Sequence, residues 1–335
     1  MAVDLGRRPS LKDLIDLGVP TAALLAAHRH GLLGATLERS ATPDEFAREL
    51  NLDVVATRLT LNVLATCGVL VHHDSRYAAS PELVAWERDA PGGVMVHLRL
   101  LEHLPELLVT GKPLIAMDGT LRERASHFTT VASGLGNMYA AAAGELAQAM
   151  ALEGGAILDL GAGSGVWSLA MAARWPDARV TAVDLPEVIE AVRRNAVALN
   201  VGSRVATVAG SYFDIDFPDA AYAVVILGNL LHLETAENAA LLVRKAAAAL
   251  RPDGTFVVID ILGNTASEEY ERDPAHAMYA LFLASRTSQG RMHSRAQVLG
   301  WLESSGLGQV RPLNLPSAPP QLDCLLARGV ARPKQ

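Results

Sequence analysis

The chain has 335 residues, half of them apolar and 5% aromatic, and carries 36 Asp and Glu against 29 Lys and Arg, a formal net charge of -7. Such a chain can bury sizeable cores in about two domains, and its acidic balance offers no electrostatic footprint for nucleic acid. Cys67 and Cys324 stand in apolar settings and read as reduced core thiols, no apolar run reaches membrane-spanning length, and the polar first ten residues lack a leader's apolar stretch, so a soluble cytoplasmic protein is expected.

Residues 11–30 place Leu14, Ile15, Leu24 and Leu25 at helical spacing, broken near Gly18 to Pro20, as two short helices or one kinked one. Thr42-Pro43-Asp44-Glu45 is a helix start with proline in the first turn. After the turn at Asn51 to Asp53, Val54 to Cys67 forms a second helix, with Leu59, Leu61, Val63 and Leu64 available for a core and Gly68 as its end. Two strand-like pieces, Val69 to His73 and Arg76 to Ala79, flank Asp74-Ser75. The order helix, turn, helix, hairpin is that of a winged helix. Its second helix contributes only Arg58 as a cation, so packing or dimerisation fits this module better than DNA reading. A long apolar helix from Gly92 to Leu108 carries His97 and His103. After the Thr110 to Pro113 loop, an alanine-rich helical stretch from Ser126 to Met150, interrupted at Ser133 to Gly136, connects to the second module. Met138 and Tyr139 on it are of the residue types that line a pocket between domains.

The second module begins near Leu152. Ile157 to Leu160 is a short apolar run, as in a parallel strand buried on both faces. Gly161, Gly163 and Gly165 follow, where the chain must turn tightly and admit a ligand that any Cβ would exclude. Val166 to Arg174 is a helix stopped by Pro176, and Arg179 to Val183 is a strand ending at Asp184, where a carboxylate can accept hydrogen bonds from both ribose hydroxyls. Further alternation gives a helix from Glu187 to Leu199, strands at Val205 to Val208 and Tyr222 to Leu227, a helix from Glu234 to Leu250 and a strand from Thr255 to Ile261. This pattern predicts a doubly wound, Rossmann-like parallel α/β sheet with ligands at the carboxyl ends of its strands. Gly161, Asp184, Ser211, His232 and Asp260 all fall at such ends.

The spacing G-x-G-x-G preceded by Asp159 differs from the dinucleotide pattern G-x-G-x-x-G and resembles motif I of the class I S-adenosylmethionine methyltransferases. With Val183-Asp184-Leu185-Pro186, Leu227-Gly228-Asn229-Leu230-Leu231-His232 and Leu250-Arg251-Pro252-Asp253-Gly254, nearly the whole chain resembles bacterial and plant small-molecule O-methyltransferases. That family joins a winged-helix dimerisation domain to a class I methyltransferase domain. The resemblance implies a dimerisation domain over 1–110, a helical connector over 111–151 and the methyltransferase domain over 152–335. It implies S-adenosylmethionine held by Asp159, Gly161, Gly163, Gly165, Asp184, Leu185, Ser211, Tyr212, Phe213 and Asn229. His232 would be the general base oriented by Asp260, with no metal, and the partners would be a small natural-product acceptor of secondary metabolism and a second copy of the chain. Met138, Tyr139, Met278, Phe282 and His293 are the candidate acceptor pocket.

Three departures bear on the chemistry. Leu233 then Glu234 follow the base where an acid and an aromatic are usual, no acid occupies Arg291 to Ser294 where the family's second flanking acid falls, and Ser211 stands where many relatives read the adenine with an acid. Methylation of carbon or nitrogen, a cofactor-sensing winged-helix regulator, and an iron or zinc site from His232, His293 and Asp260 are the alternatives.

Overall fold

The structure, a computed structural model, describes residues 10–89, 93–150, 155–263 and 274–329, in two compact units divided between Val109 and Thr110. The expected domain start at Leu152 lies outside the described residues.

The first unit contains α1 (Leu11–Arg29), α2 (Leu32–Glu38), α3 (Pro43–Leu50), α4 (Val54–Thr66), β1 (Leu70–His73), β2 (Arg76–Ala79), α5 (Pro81–Asp89) and α6 (Gly93–Thr110). The segment α3-α4-β1-β2 has the predicted winged-helix order. Thr42 and Glu45 close a reciprocal capping box on α3, and Asp74 and Ser75, both at positive φ, make the two-residue hairpin turn. The core gathers Leu33, Phe46, Leu61, Leu64, Leu70 and Tyr77. Of the two readings of the first segment, a single helix with Pro20 inside is adopted. Cys67, expected in the core, is exposed: α4 ends at Thr66, so Cys67 is its cap and does not continue the face of Leu61 and Leu64.

The second unit starts with α7 (Leu121–Ala149), a 29-residue helix that runs without a break through Ser133 to Gly136. The expected interruption marks instead a close approach, since a Cβ on Gly136 would stand 2.6 Å from Ser164 Oγ in the glycine turn. Small side chains, Ala142, Ala143 and Ala147, together with Tyr139 and Leu146, pack α7 into this unit's core, so it is part of the second unit and not a connector.

The sheet is built from β3 (Gly155–Leu160), β4 (Ala178–Asp184), β5 (Val205–Ala209), β6 (Tyr222–Gly228), β7 (Leu250–Ile261), β8 (Leu307–Pro312) and β9 (Leu322–Gly329) in the order β5-β4-β3-β6-β7-β9-β8. Helices α8 (Val166–Arg174), α9 (Ile189–Ala198), α10 (Ala236–Ala249), α11 (Pro274–Ala284) and α12 (Arg295–Ser304) complete the unit. The first five strands are parallel, as predicted. The sheet is nevertheless mixed: β9 runs antiparallel to both β7 and β8, because the short link after β8 permits a reversal, whereas a parallel neighbour needs a longer crossover. Apolar side chains on both faces of the central strands form two clusters, one around Ile157, Val180, Val224 and Val257 and one around Leu158, Val183, Leu227 and Phe256. The chain winds from β3 through β4 to β5 on one side and later through β6 to β7 on the other. The crevice of a doubly wound sheet therefore opens at the carboxyl end of β3. No helix among the described residues is long and apolar enough to cross a membrane.

Candidate active site

At that switch point the chain turns through Gly161, Gly163 and Gly165, all at positive φ (65°, 58° and 76°). A Cβ on Gly161 would come within 2.8 Å of Leu230 Cδ1, whereas one on Gly163 would meet nothing within 4 Å. Gly163 thus leaves its space to the cleft. Gly165 caps α8, whose first turn offers backbone N–H groups and the positive end of the helix dipole.

Asp184, at the end of β4, accepts from the Gly163 N–H at 2.7 Å and, through its other oxygen, from the Leu185 N–H at 2.7 Å. Burial pushes its carboxyl upward against these two donors. Each oxygen keeps a further lone pair, so the group can brace the turn and still receive hydroxyls. Behind the turn, Asp159 is fully buried and accepts from Ser168 Oγ at 2.5 Å; burial raises its carboxyl to about 7, with Asp184 adding to the effect.

A cleft opens along this rim. Gly161, Gly163, Asp184, Leu185, Ser211, Tyr212 and Asn229 line it, with Tyr139 and Trp167 among its aromatic walls. Tyr139 is tilted against Trp167 with ring centroids 5.5 Å apart, and Asn229 Nδ2 lies 3.4 Å from its hydroxyl. Of the other residues expected to bind cofactor, Phe213 packs against the second core cluster, and Asp159 and Gly165 support the turn from behind.

His232 and Asp260 meet beside this cleft. His232 Nδ1 lies 2.7 Å from Asp260 Oδ1, while the same carboxylate accepts from the His232 N–H at 3.2 Å and the Ile261 N–H at 2.8 Å. A carboxylate surrounded by donors accepts only, so Nδ1 carries a proton, and in the neutral imidazole Nε2 keeps its lone pair. The ring of Tyr279, on α11, stands edge-on to His232 at 6.2 Å. Burial raises the Tyr279 phenol above its ordinary range, with the Asp260 charge acting in the same direction, and does the same to Tyr139.

The remaining acceptor-pocket candidates are spread. Met138 and Met278 are exposed and Phe282 is half-buried. His293 is buried, its Nε2 2.9 Å from the Leu231 carbonyl and its Nδ1 without a hydrogen-bond partner among the described residues. Its ring is thereby tied to the loop that carries His232, and no cluster of three or more His, Cys, Asp or Glu able to hold a metal occurs among the described residues.

One polar cluster escaped sequence reasoning. Arg124 on α7 donates from both Nη groups to Glu234 Oε1 at 2.8 Å and from Nη1 to the Tyr212 hydroxyl at 3.0 Å, and that hydroxyl donates to Glu234 at 2.6 Å. Glu234 caught attention only as an acid out of place. Nothing local pairs it with an arginine 110 residues away.

A glycine turn at the switch point of such a sheet, with an acid ending the next strand, is the layout that holds an adenosine cofactor, and its G-x-G-x-G spacing is that of the class I S-adenosylmethionine-dependent methyltransferases. The residues present fit that cofactor, since Gly163 leaves open the space a side chain would fill and Asp184 offers acceptors on the rim. The profile of the O-methyltransferase domain matches residues 115–306; the chain belongs to that family and is an S-adenosylmethionine-dependent O-methyltransferase. It is 25% identical over 312 residues to the 3-hydroxy-5-methyl-1-naphthoate 3-O-methyltransferase of Streptomyces sahachiroi, covering 89% of this chain and 88% of that protein. To the mitomycin biosynthesis 6-O-methyltransferase of Streptomyces lavendulae it is 26% identical over 280 residues, 78% of each. Human N-acetylserotonin methyltransferase in complex with S-adenosylmethionine superimposes with a TM-score of 0.70 at 16% identity, covering 99% of this chain and all of that one.

Proposed function

We propose that the enzyme methylates a hydroxyl of a small, aromatic or polyketide-like natural product, with His232 as general base. The observation that carries this reading is the His232–Asp260 pair, whose hydrogen bond puts a proton on Nδ1 and so gives the neutral imidazole its lone pair at Nε2. The relatives' acceptors, a hydroxynaphthoate and mitomycin-pathway compounds, are of this class. The cofactor supplies a methyl group on a sulfonium, already bearing a good leaving group. What the chain must add is alignment of the acceptor and removal of its proton. Asp184 would receive the ribose hydroxyls, Gly161 and Gly163 would admit the cofactor's amino-acid part, and Ser211 and Tyr212 would flank the adenine. Asp260 would hold the imidazole in its working tautomer and stabilise the imidazolium formed when Nε2 takes the proton. Release of S-adenosylhomocysteine with a panel of hydroxylated aromatic acceptors, coupled to mass spectrometry of the product, tests the reading. A methyl group found only on carbon or nitrogen would refute it.

We further infer a homodimer formed through the first unit. Leu11, Leu14, Ile15 and Val19 leave more than half of their surface exposed on α1, more apolar area than a lone soluble helix ordinarily presents. The acidic chain gives that unit no nucleic acid to bind. Light scattering of the full chain is expected to report a dimer, and a monodisperse monomer would overturn this.

A further inference from the structure

The turn that carries His232 is a single 3₁₀ turn, Leu231–Leu233, closed by the Leu233 N–H on the Leu230 carbonyl at 3.1 Å and the Glu234 N–H on the Leu231 carbonyl at 3.0 Å. So short a helix has little hold on its own shape, and what grips it from outside sets its geometry. On one side Asp260 takes the His232 N–H and ring, and the His293 ring reaches the Leu231 carbonyl. On the other stands the cluster of Arg124, Tyr212 and Glu234. Arg124 Nη2 also lies 3.4 Å from the Leu233 carbonyl, and the second Glu234 oxygen accepts from Asn238 Nδ2 at 3.3 Å in the first turn of α10. The cluster thus joins α7, the loop after β5 and the turn of the base, and Arg124, Tyr212 and Leu233 all line the cleft.

The Arg124 and Glu234 side chains are 13% and 4% exposed. A pair so buried seldom accounts for stability, because desolvation of two charges offsets their attraction and apolar replacements of similar volume often fold as well. What it adds is direction. Both Nη groups and the Tyr212 hydroxyl converge on one Glu234 oxygen, at 2.8, 2.8 and 2.6 Å. Hydrogen bonds to an ion fix distance and angle, whereas an apolar contact fixes neither.

We propose that Arg124 and Glu234 are positioning residues for the methyl transfer: their ion pair, with Tyr212, fixes the turn Leu231–Leu233 against α7 and so sets where the His232 imidazole stands. The proposal rests on His232 being the general base.

The test replaces the whole cluster, Arg124→Met, Tyr212→Phe and Glu234→Leu together, so that none of the three is left buried without its partners. Single-turnover methyl transfer to hydroxynaphthoic acids is read in the wild-type and His232→Ala backgrounds. The His232 ring is followed by ¹⁵N-edited spectra of the enzyme saturated with S-adenosylhomocysteine, its signals assigned by their absence from His232→Ala; these need no acceptor and decide even without turnover. The triple variant should melt within a few degrees of wild type and bind S-adenosylhomocysteine within about threefold, since an aromatic ring remains at position 212. Its kcat should fall about 10- to 100-fold, the cost of a misplaced group, and the His232 ring signals should shift and broaden. In the His232→Ala background the same replacement should cost less than about threefold, because the group it positions is gone. Arg124→Lys, which keeps the charge and loses the two converging Nη groups, should show the same pattern more weakly, about 3- to 10-fold in kcat, whether or not the triple variant folds. Unchanged kcat and unchanged His232 ring signals in these variants, or an equal fall in kcat with and without His232, would overturn the proposal. His232→Ala at the wild-type rate would refute the base and the proposal with it, whereas a slow His232→Ala beside fast cluster variants would keep the base and remove the positioning residues.

Discussion

Replacement of His232 by alanine separates proton removal from every other task of the site. General-base catalysis contributes about 10² to 10⁴-fold, so kcat should fall by that factor, equivalent to about 3 to 5 kcal/mol of barrier. The fold should survive, because the Asp260 carboxylate left behind still accepts from the backbone N–H groups of residue 232, at 3.2 Å, and Ile261, at 2.8 Å. Cofactor affinity should hardly change, since the glycine turn and Asp184 belong to β3 and β4. Asp260→Asn gives the complementary result. In any orientation its amide NH₂ faces a donor, either the backbone N–H of His232 or Nδ1 and Ile261. An unmet hydrogen bond of that kind costs about 1 to 3 kcal/mol of stability, while an imidazole still present keeps the loss of kcat smaller than in His232→Ala. Single-turnover methyl transfer across pH, with calorimetry of the cofactor on each variant, makes both measurements. A His232→Ala enzyme with the wild-type rate and an unchanged pH profile would remove His232 from the mechanism.

Asp184→Ala should weaken S-adenosylmethionine by about 1.5 to 3 kcal/mol through lost bonds to a charged group, and further by loosening the turn that Asp184 braces at Gly163; tight NAD binding in its place, measured by calorimetry, would refute the cofactor assignment. Gly163→Ala should cost about 1 kcal/mol of stability for its φ of 58°, yet weaken the cofactor more than that, because the new methyl group points into the cleft; thermal melts and cofactor titration read the two effects separately. Asp159 keeps its proton up to about pH 7 in the native state, whereas the unfolded carboxyl loses it near pH 4. Its burial therefore destabilises increasingly as pH rises between those values and constantly above them. Asp159→Asn should accordingly gain stability over wild type at pH 8 by about 2 to 3 kcal/mol more than it does at pH 5 in urea unfolding, and a gain independent of pH would contradict the buried-carboxyl account.

Local patterns carried the reading where the physics is local. The helix Val166–Arg174 has the bounds its sequence announces, because a glycine N-cap and a following Trp-Pro delimit it by backbone sterics alone. The parallel strands and their terminal acids were legible for the same reason, as short apolar runs closed by residues that end strands. The winged-helix order followed from a helix start with proline in its first turn at Thr42 to Glu45, a turn at Asn51 and a hairpin at Asp74-Ser75, each specified within a few residues.

What the sequence did not reveal depends on residues far apart in it. Gly136 reads as a helix break, and only the packed structure shows that it lets α7 approach Ser164. The reversed strand β9 and its partner β8 complete the edge of the sheet through pairings formed after the chain has folded back on β7. Which charges are matched is likewise a tertiary fact. Arg124 and Glu234 neutralise one another across 110 residues. A sequence records that these charges exist; desolvation and distance, which decide what each one can bind, arise only when the chain closes around them.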